Sequence, residues 1–106
     1  CHLPDARYDR FRTWRDMPCD ETEGRFADVA ILQCTECGQL WLRYAVEYEA
    51  FPRSGRWARG LIDEASAQEM RSEAAADFLA ALPGYVFGGS WFGRVGAGSG
   101  PMYWGV

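Results

Sequence analysis

The stretch Gln33-Cys34-Thr35-Glu36-Cys37-Gly38-Gln39-Leu40-Trp41 constrains this chain more than any other. Two cysteines sit two residues apart, and a glycine follows the second directly. An apolar, strand-like run enters the turn and another leaves it. This is the pattern of a metal-binding knuckle at the tip of a β-hairpin. The turn aims two thiolates at one point, and Gly38 supplies a backbone angle that other residues resist. We expect half of a structural zinc site here, which speaks to how the chain is built and not to a reaction.

The length of 106 residues allows one domain with one core. Five Trp, five Tyr and six Phe are too many for a disordered chain. No apolar run reaches the ~20 residues that span a bilayer. No signal peptide is visible, and the first residue is Cys1 rather than Met, which leaves room upstream for a targeting segment or a further metal ligand. The expected compartment is the cytoplasm. A net charge of −4 argues against a general nucleic-acid binder and suits a basic partner. All eleven basic residues are arginine, a bias that a GC-rich genome or an arginine-rich recognition surface would each produce.

Four cysteines, Cys1, Cys19, Cys34 and Cys37, permit a disulfide framework, free thiols or metal. Cys34 and Cys37 are too close for a loop-closing staple. Redox Cys-x-x-Cys pairs open a helix, whereas this pair precedes a strand, so zinc is the leading reading. Four ligands are needed. Cys1 and Cys19 are the expected completion, with His2, the single histidine, in reserve. A closed, cysteine-rich site is structural, because catalytic zinc keeps an open position.

Along the chain, residues 1–25 form an N-terminal segment in which Tyr8, Phe11 and Trp14 recur every third residue among arginines. That spacing predicts a short amphipathic helix ended by Pro18, then an acidic loop from Asp20 to Gly24. Residues 26–62 read as a three-stranded meander: Phe26 to Gln33, Leu40 to Phe51, and Arg56 to Ile62, with turn chemistry at Pro52-Arg53-Ser54-Gly55. Leu40, Leu42, Tyr44, Val46 and Tyr48 share one side of the second strand. Trp41, Arg43, Glu47 and Glu49 share the other, predicted to be wet. Over 66–82, Ser66 with Glu69 predicts a capping box, Ser72 a second cap, and Ala75, Phe78, Leu79 and Leu82 a buried helix face. In 85–106, Tyr85 to Phe87 reads as a last strand, followed by an irregular glycine-rich tail pinned by Trp91, Phe92, Tyr103 and Trp104. Gly96 to Gly100 lacks the lysine and the helix of a phosphate loop.

No catalytic constellation is visible. His2 would have to serve any Ser-His or Cys-His site, and Glu47 with Glu49 is the one carboxylate pair on a shared face. We therefore expect a non-enzyme.

The Cys-x-x-Cys-Gly knuckle running into an apolar-aromatic strand resembles a zinc ribbon. That resemblance implies a metal-clipped hairpin used for nucleic-acid or protein contact. With Trp41, Glu47-Tyr48-Glu49, Arg56-Trp57-x-Arg59-Gly60 and Gly88-Gly89-Ser90-Trp91-Phe92-Gly93, the middle two-thirds of the chain looks like small uncharacterised bacterial proteins. Some small acidic bacterial domains of this kind are immunity proteins that neutralise a toxin. The expectation is an α+β domain, a small antiparallel meander with a zinc knuckle packed by one or two helices. It would bind a protein, in that setting a basic toxin, through Trp41, Glu47, Glu49, Trp57 and Trp91. The alternative is a zinc-ribbon nucleic-acid binder using Arg53, Arg56 and Arg59 around Trp57.

Overall fold

Period-two alternation dominates this chain, and the computed structural model, which describes residues 11–22, 26–48 and 52–104, turns it into one sheet. Six antiparallel strands lie in sequence order: β1 Phe11–Asp16, β2 Asp28–Cys34, β3 Leu40–Val46, β4 Arg56–Ile62, β5 Tyr85–Gly88 and β6 Gly96–Gly98. Two short helices, α1 Glu64–Glu69 and α2 Ala75–Ala81, are joined through a 3₁₀ turn at Ser72–Ala74 and fill the crossover from β4 to β5. The class is α+β, as the sequence predicts, and the meander is β2-β3-β4. The second strand is shorter than expected, ending at Val46.

One face carries the main core. Cross-strand neighbours Ile31, Leu42 and Gly60 share it, as do Val29, Tyr44 and Ala58. Ala67, Met70, Ala75 and Leu79 from the helical segment pack on this face, and Trp104 closes it at the far end. The Trp104 ring meets Tyr44 edge-on with centroids 4.7 Å apart. Tyr44 in turn donates its hydroxyl to Asp20 Oδ2 at 2.5 Å, so a buried phenol and a buried carboxylate satisfy each other.

Four expectations are corrected. The N-terminal aromatics do not make a helix where they are described: Phe11 and Thr13 face Cys34 and Leu32 across β1–β2, and a register shift between Thr13 and Arg15 absorbs Trp14. The three-residue aromatic spacing serves two faces of the sheet rather than one face of a helix, with Phe11 in the second-face cluster and Trp14 against the main core. Second, α1 is capped by Asp63, whose side chain accepts from the Ser66 N–H, and not by Ser66. Third, Ser72 makes no side-chain cap. Its hydroxyl donates to the Pro18 carbonyl instead, tying the helical segment to the chain before β2. Fourth, the glycine-rich tail is not wholly irregular, because Gly96–Gly98 pairs with Tyr85–Phe87.

No helix among the described residues is long and apolar enough to cross a membrane.

Candidate functional site

Two places on this scaffold bear on function, the cysteine hairpin and a groove on the second face of the sheet.

The hairpin joins β2 to β3. Cys34 N–H donates to the Gln39 carbonyl at 2.9 Å, and Gly38 N–H donates to the Cys34 carbonyl at 2.9 Å. Gly38 adopts φ +76, the left-handed backbone its place in the motif requires. The turn therefore folds back over its own first cysteine. Cys34 is 1% exposed while Cys37 is exposed. Burial pushes the Cys34 thiol up, but the backbone N–H groups of Cys37 and Glu36 donate to its sulfur, and the Cys37 thiol adds a further hydrogen bond. The net direction is down from the ordinary thiol value. Such a pair is a soft donor set of the kind zinc takes, and a tetrahedral zinc would need two further ligands.

Of the expected completing ligands, Cys1 and His2 lie outside the described residues. Cys19 is not brought to the pair. Its thiol is pushed up by desolvation and then by the carboxylates of Asp28, Glu21 and Asp20. Asp28 opens β2 and Cys34 closes it, a separation of about 20 Å along the strand. Among the described residues no group of three or more His, Cys, Asp or Glu side chains is gathered as a metal site.

The second face of the sheet is the one expected to be wet, and it is not uniformly so. Trp41, expected as a contact residue, is 3% exposed, and with Phe11, Leu32, Cys34 and Val86 it forms a second apolar cluster. The Trp41 and Phe11 rings meet edge-on at 6.3 Å. Arg59 is buried against them, its guanidinium carbon 5.0 Å from the Phe11 ring and 5.3 Å from the Trp41 ring. Burial, then the facing Arg43, pushes Arg59 down from its ordinary value.

Beyond this cluster the face opens into a groove of about 520 Å³. Asp28, Arg43, Ala45 and Trp57 line it from β2, β3 and β4, and Phe26, Glu47 and Ser90 from the adjoining loops. Arg43 lies over the Trp57 ring at 6.0 Å. The ring can lie flat because its cross-strand neighbour is Gly88; a Cβ there would stand 2.7 Å from it. Phe26 is 70% exposed at the rim.

Thus Glu47 and Trp57 both line the groove, while Glu49 lies outside the described residues. Trp91 belongs to neighbouring surface, its ring 3.9 Å from the Arg56 guanidinium carbon and 6.0 Å from the Tyr103 ring. In the sequence Phe26 and Asp28 carry only the signal of a strand. Their role in the groove depends on the β2–β3 register, which places Asp28 opposite Ala45. The arginines of the alternative reading do not form one patch. Arg56 pairs with Val46 on the helix-covered face, and Arg59 pairs with Arg43 on the opposite one. An offset of three residues along a strand necessarily reverses the side.

Comparison with protein families, with curated proteins and with solved structures finds no match.

Proposed function

We propose that this chain is a small protein-binding module that works by steric occupation, with the second-face groove as its contact surface. The observation that carries this reading is the groove itself: a half-polar trough that no described residue fills, with one aromatic wall, Trp57, and an exposed ring, Phe26, at its rim. Aromatic anchors beside charged groups are the usual composition of an interface hot spot. Asp28 and Glu47 give the groove acidic groups that favour a basic partner, and Arg43 gives it a point of register. The small size, the acidity and the lack of a catalytic constellation support a toxin-neutralising immunity protein of bacterial type as the biological form of this module.

In the same reading, Cys34 and Cys37 hold a structural zinc at the hairpin. The metal would supply folding free energy rather than chemistry. The residues present fit it as two thiolate ligands, one already stabilised by backbone N–H donors. The arginines divided between two faces give the nucleic-acid reading no comparable support.

The experiment is capture from the native host followed by binding kinetics. Phe26→Ala and Glu47→Arg should each leave the fold intact and weaken the captured complex. The Glu47→Arg loss should shrink as salt rises, because screening removes the steering. A partner that binds both variants as it binds the parent chain places the interface elsewhere. Binding of random nucleic acid that falls steeply with salt would favour the alternative.

A further inference from the structure

Arg56 is the largest fully buried side chain of the described protein, 1% exposed. Its Nε donates to the Ser54 carbonyl at 3.0 Å and its Nη1 to the Tyr103 carbonyl at 2.8 Å. Its Nη2 is buried and has no hydrogen-bond partner among the described residues. Burial lowers its pKa, and the phenols of Tyr48 and Tyr103 raise it; among the described residues no carboxylate acts on it. A guanidinium out of water normally has a carboxylate or a full set of acceptors, because an uncompensated buried charge is costly. Here two neutral carbonyls and three rings do that work, with Trp91 at 3.9 Å, Tyr103 at 5.7 Å and Tyr48 at 5.9 Å.

The rings nearest this charge are themselves at the surface. Trp91 is 43% exposed and Tyr103 61% exposed, and they stack on each other. Exposed side chains change rotamer on the nanosecond scale, without movement of the sheet. The surrounding backbone is fixed. Trp91 N–H donates to the Gly55 carbonyl at 2.8 Å, and Gly55 N–H donates to Ser90 Oγ at 3.2 Å. Arg53, exposed and held at φ +59 in the loop before β4, reaches toward Gly93 in the loop that carries Trp91. The Glu47 carboxylate lies beside Gly55, on the side that also carries Ser90 Oγ.

We propose that Arg56, beneath Trp91 and Tyr103, anchors a site for a carboxylate, carried by an acidic peptide segment of a partner. The planar guanidinium has an unused donor, and a carboxylate oxygen is the acceptor that matches it. Flat aromatic walls suit a planar anion on a peptide better than a tetrahedral one that needs several donors at once. The site adjoins the groove, which Gly55, Arg56 and Ser90 also line; it takes an acid where Asp28 and Glu47 favour a base, and so it does not rest on the reading above.

The test uses the full chain labelled with nitrogen-15 and arginine side-chain NMR. The probe is an acetylated hexaglutamate peptide, with inorganic phosphate in a separate arm. A saturable shift of the Arg56 side-chain resonances on adding the peptide, larger than any at exposed Arg71, supports the site. Arg56→Lys should bind the peptide about tenfold more weakly, since a point charge replaces the fork. Should that variant fail to fold, the parent-chain titration decides alone. No saturable shift at Arg56, equal shifts at Arg56 and Arg71, or saturation by phosphate without saturation by the peptide would each overturn the proposal.

Discussion

At the scale of single residues, the chemistry concentrates in one sulfur. Cys34 is buried, yet N–H donors hold its pKa below the ordinary thiol value of 9.0. A depressed pKa favours the folded state once the thiolate forms. In metal-free protein this stabilisation is complete above the unfolded-state value near 9.0 and is lost as pH falls through the lower folded-state value. Melting curves with chelator should therefore rise toward pH 9, and Cys34→Ser should flatten that rise. If both proteins respond to pH alike, the N–H donors do not stabilise a thiolate. Gly88 makes a second residue-scale prediction. Gly88→Ala pushes a methyl into the Trp57 ring, displacing the groove's wall at a cost of about 1–3 kcal/mol. Denaturant unfolding measures the cost, and the Trp57 indole resonance reports the displacement.

At the scale of elements, β1 does more than complete the sheet. Arg15 reaches across to α1, where its Nη1 donates to the carbonyls of Ala67 at 2.8 Å and Met70 at 2.8 Å. These lie at the end of a six-residue helix with no basic residue in its last turn, so Arg15 supplies the missing cation from outside. Arg15→Ala should cost about 1–2 kcal/mol and loosen α1 more than the sheet, as hydrogen exchange would show by faster exchange in Glu64–Glu69. This contact explains why β1 was hard to read. An arginine every few residues looked like the solvated face of a helix, because nothing local shows that one of them caps a helix 52 residues away. The hairpin and the meander were legible, since alternation and the Cys-x-x-Cys-Gly turn are local signals. The cap at Asp63 was missed for a simpler reason: Ser66 and Glu69 fit a capping-box spacing, and Asp63, three residues earlier, satisfies the same geometry from a better position.

At the scale of the whole molecule, the sheet has two unequal faces. The helix-covered face was legible from Leu40, Leu42, Tyr44 and Val46, all buried as expected. The other face was legible only in part. Trp41 was expected in water because it alternates with core residues and shares its side with Arg43. It is buried because Phe11 and Leu32 arrive beside it from β1 and β2, and such non-local packing leaves no trace in the local pattern. The groove survives where that cluster ends. In the proposed account, zinc at the hairpin stabilises this whole arrangement, so Cys37→Ser and chelator should lower the melting temperature to the same extent, by several kcal/mol in stability. Identical melting of all three samples would remove zinc from the account.

The central claim, that the groove is the contact surface, is tested most directly by the five tryptophan indole N–H resonances when the captured partner is added. Trp57 lines the groove, whereas Trp104 is buried in the main core. The account predicts a saturable shift of the Trp57 resonance with Trp104 unmoved. A complex that forms while Trp57 stays in place would contradict it.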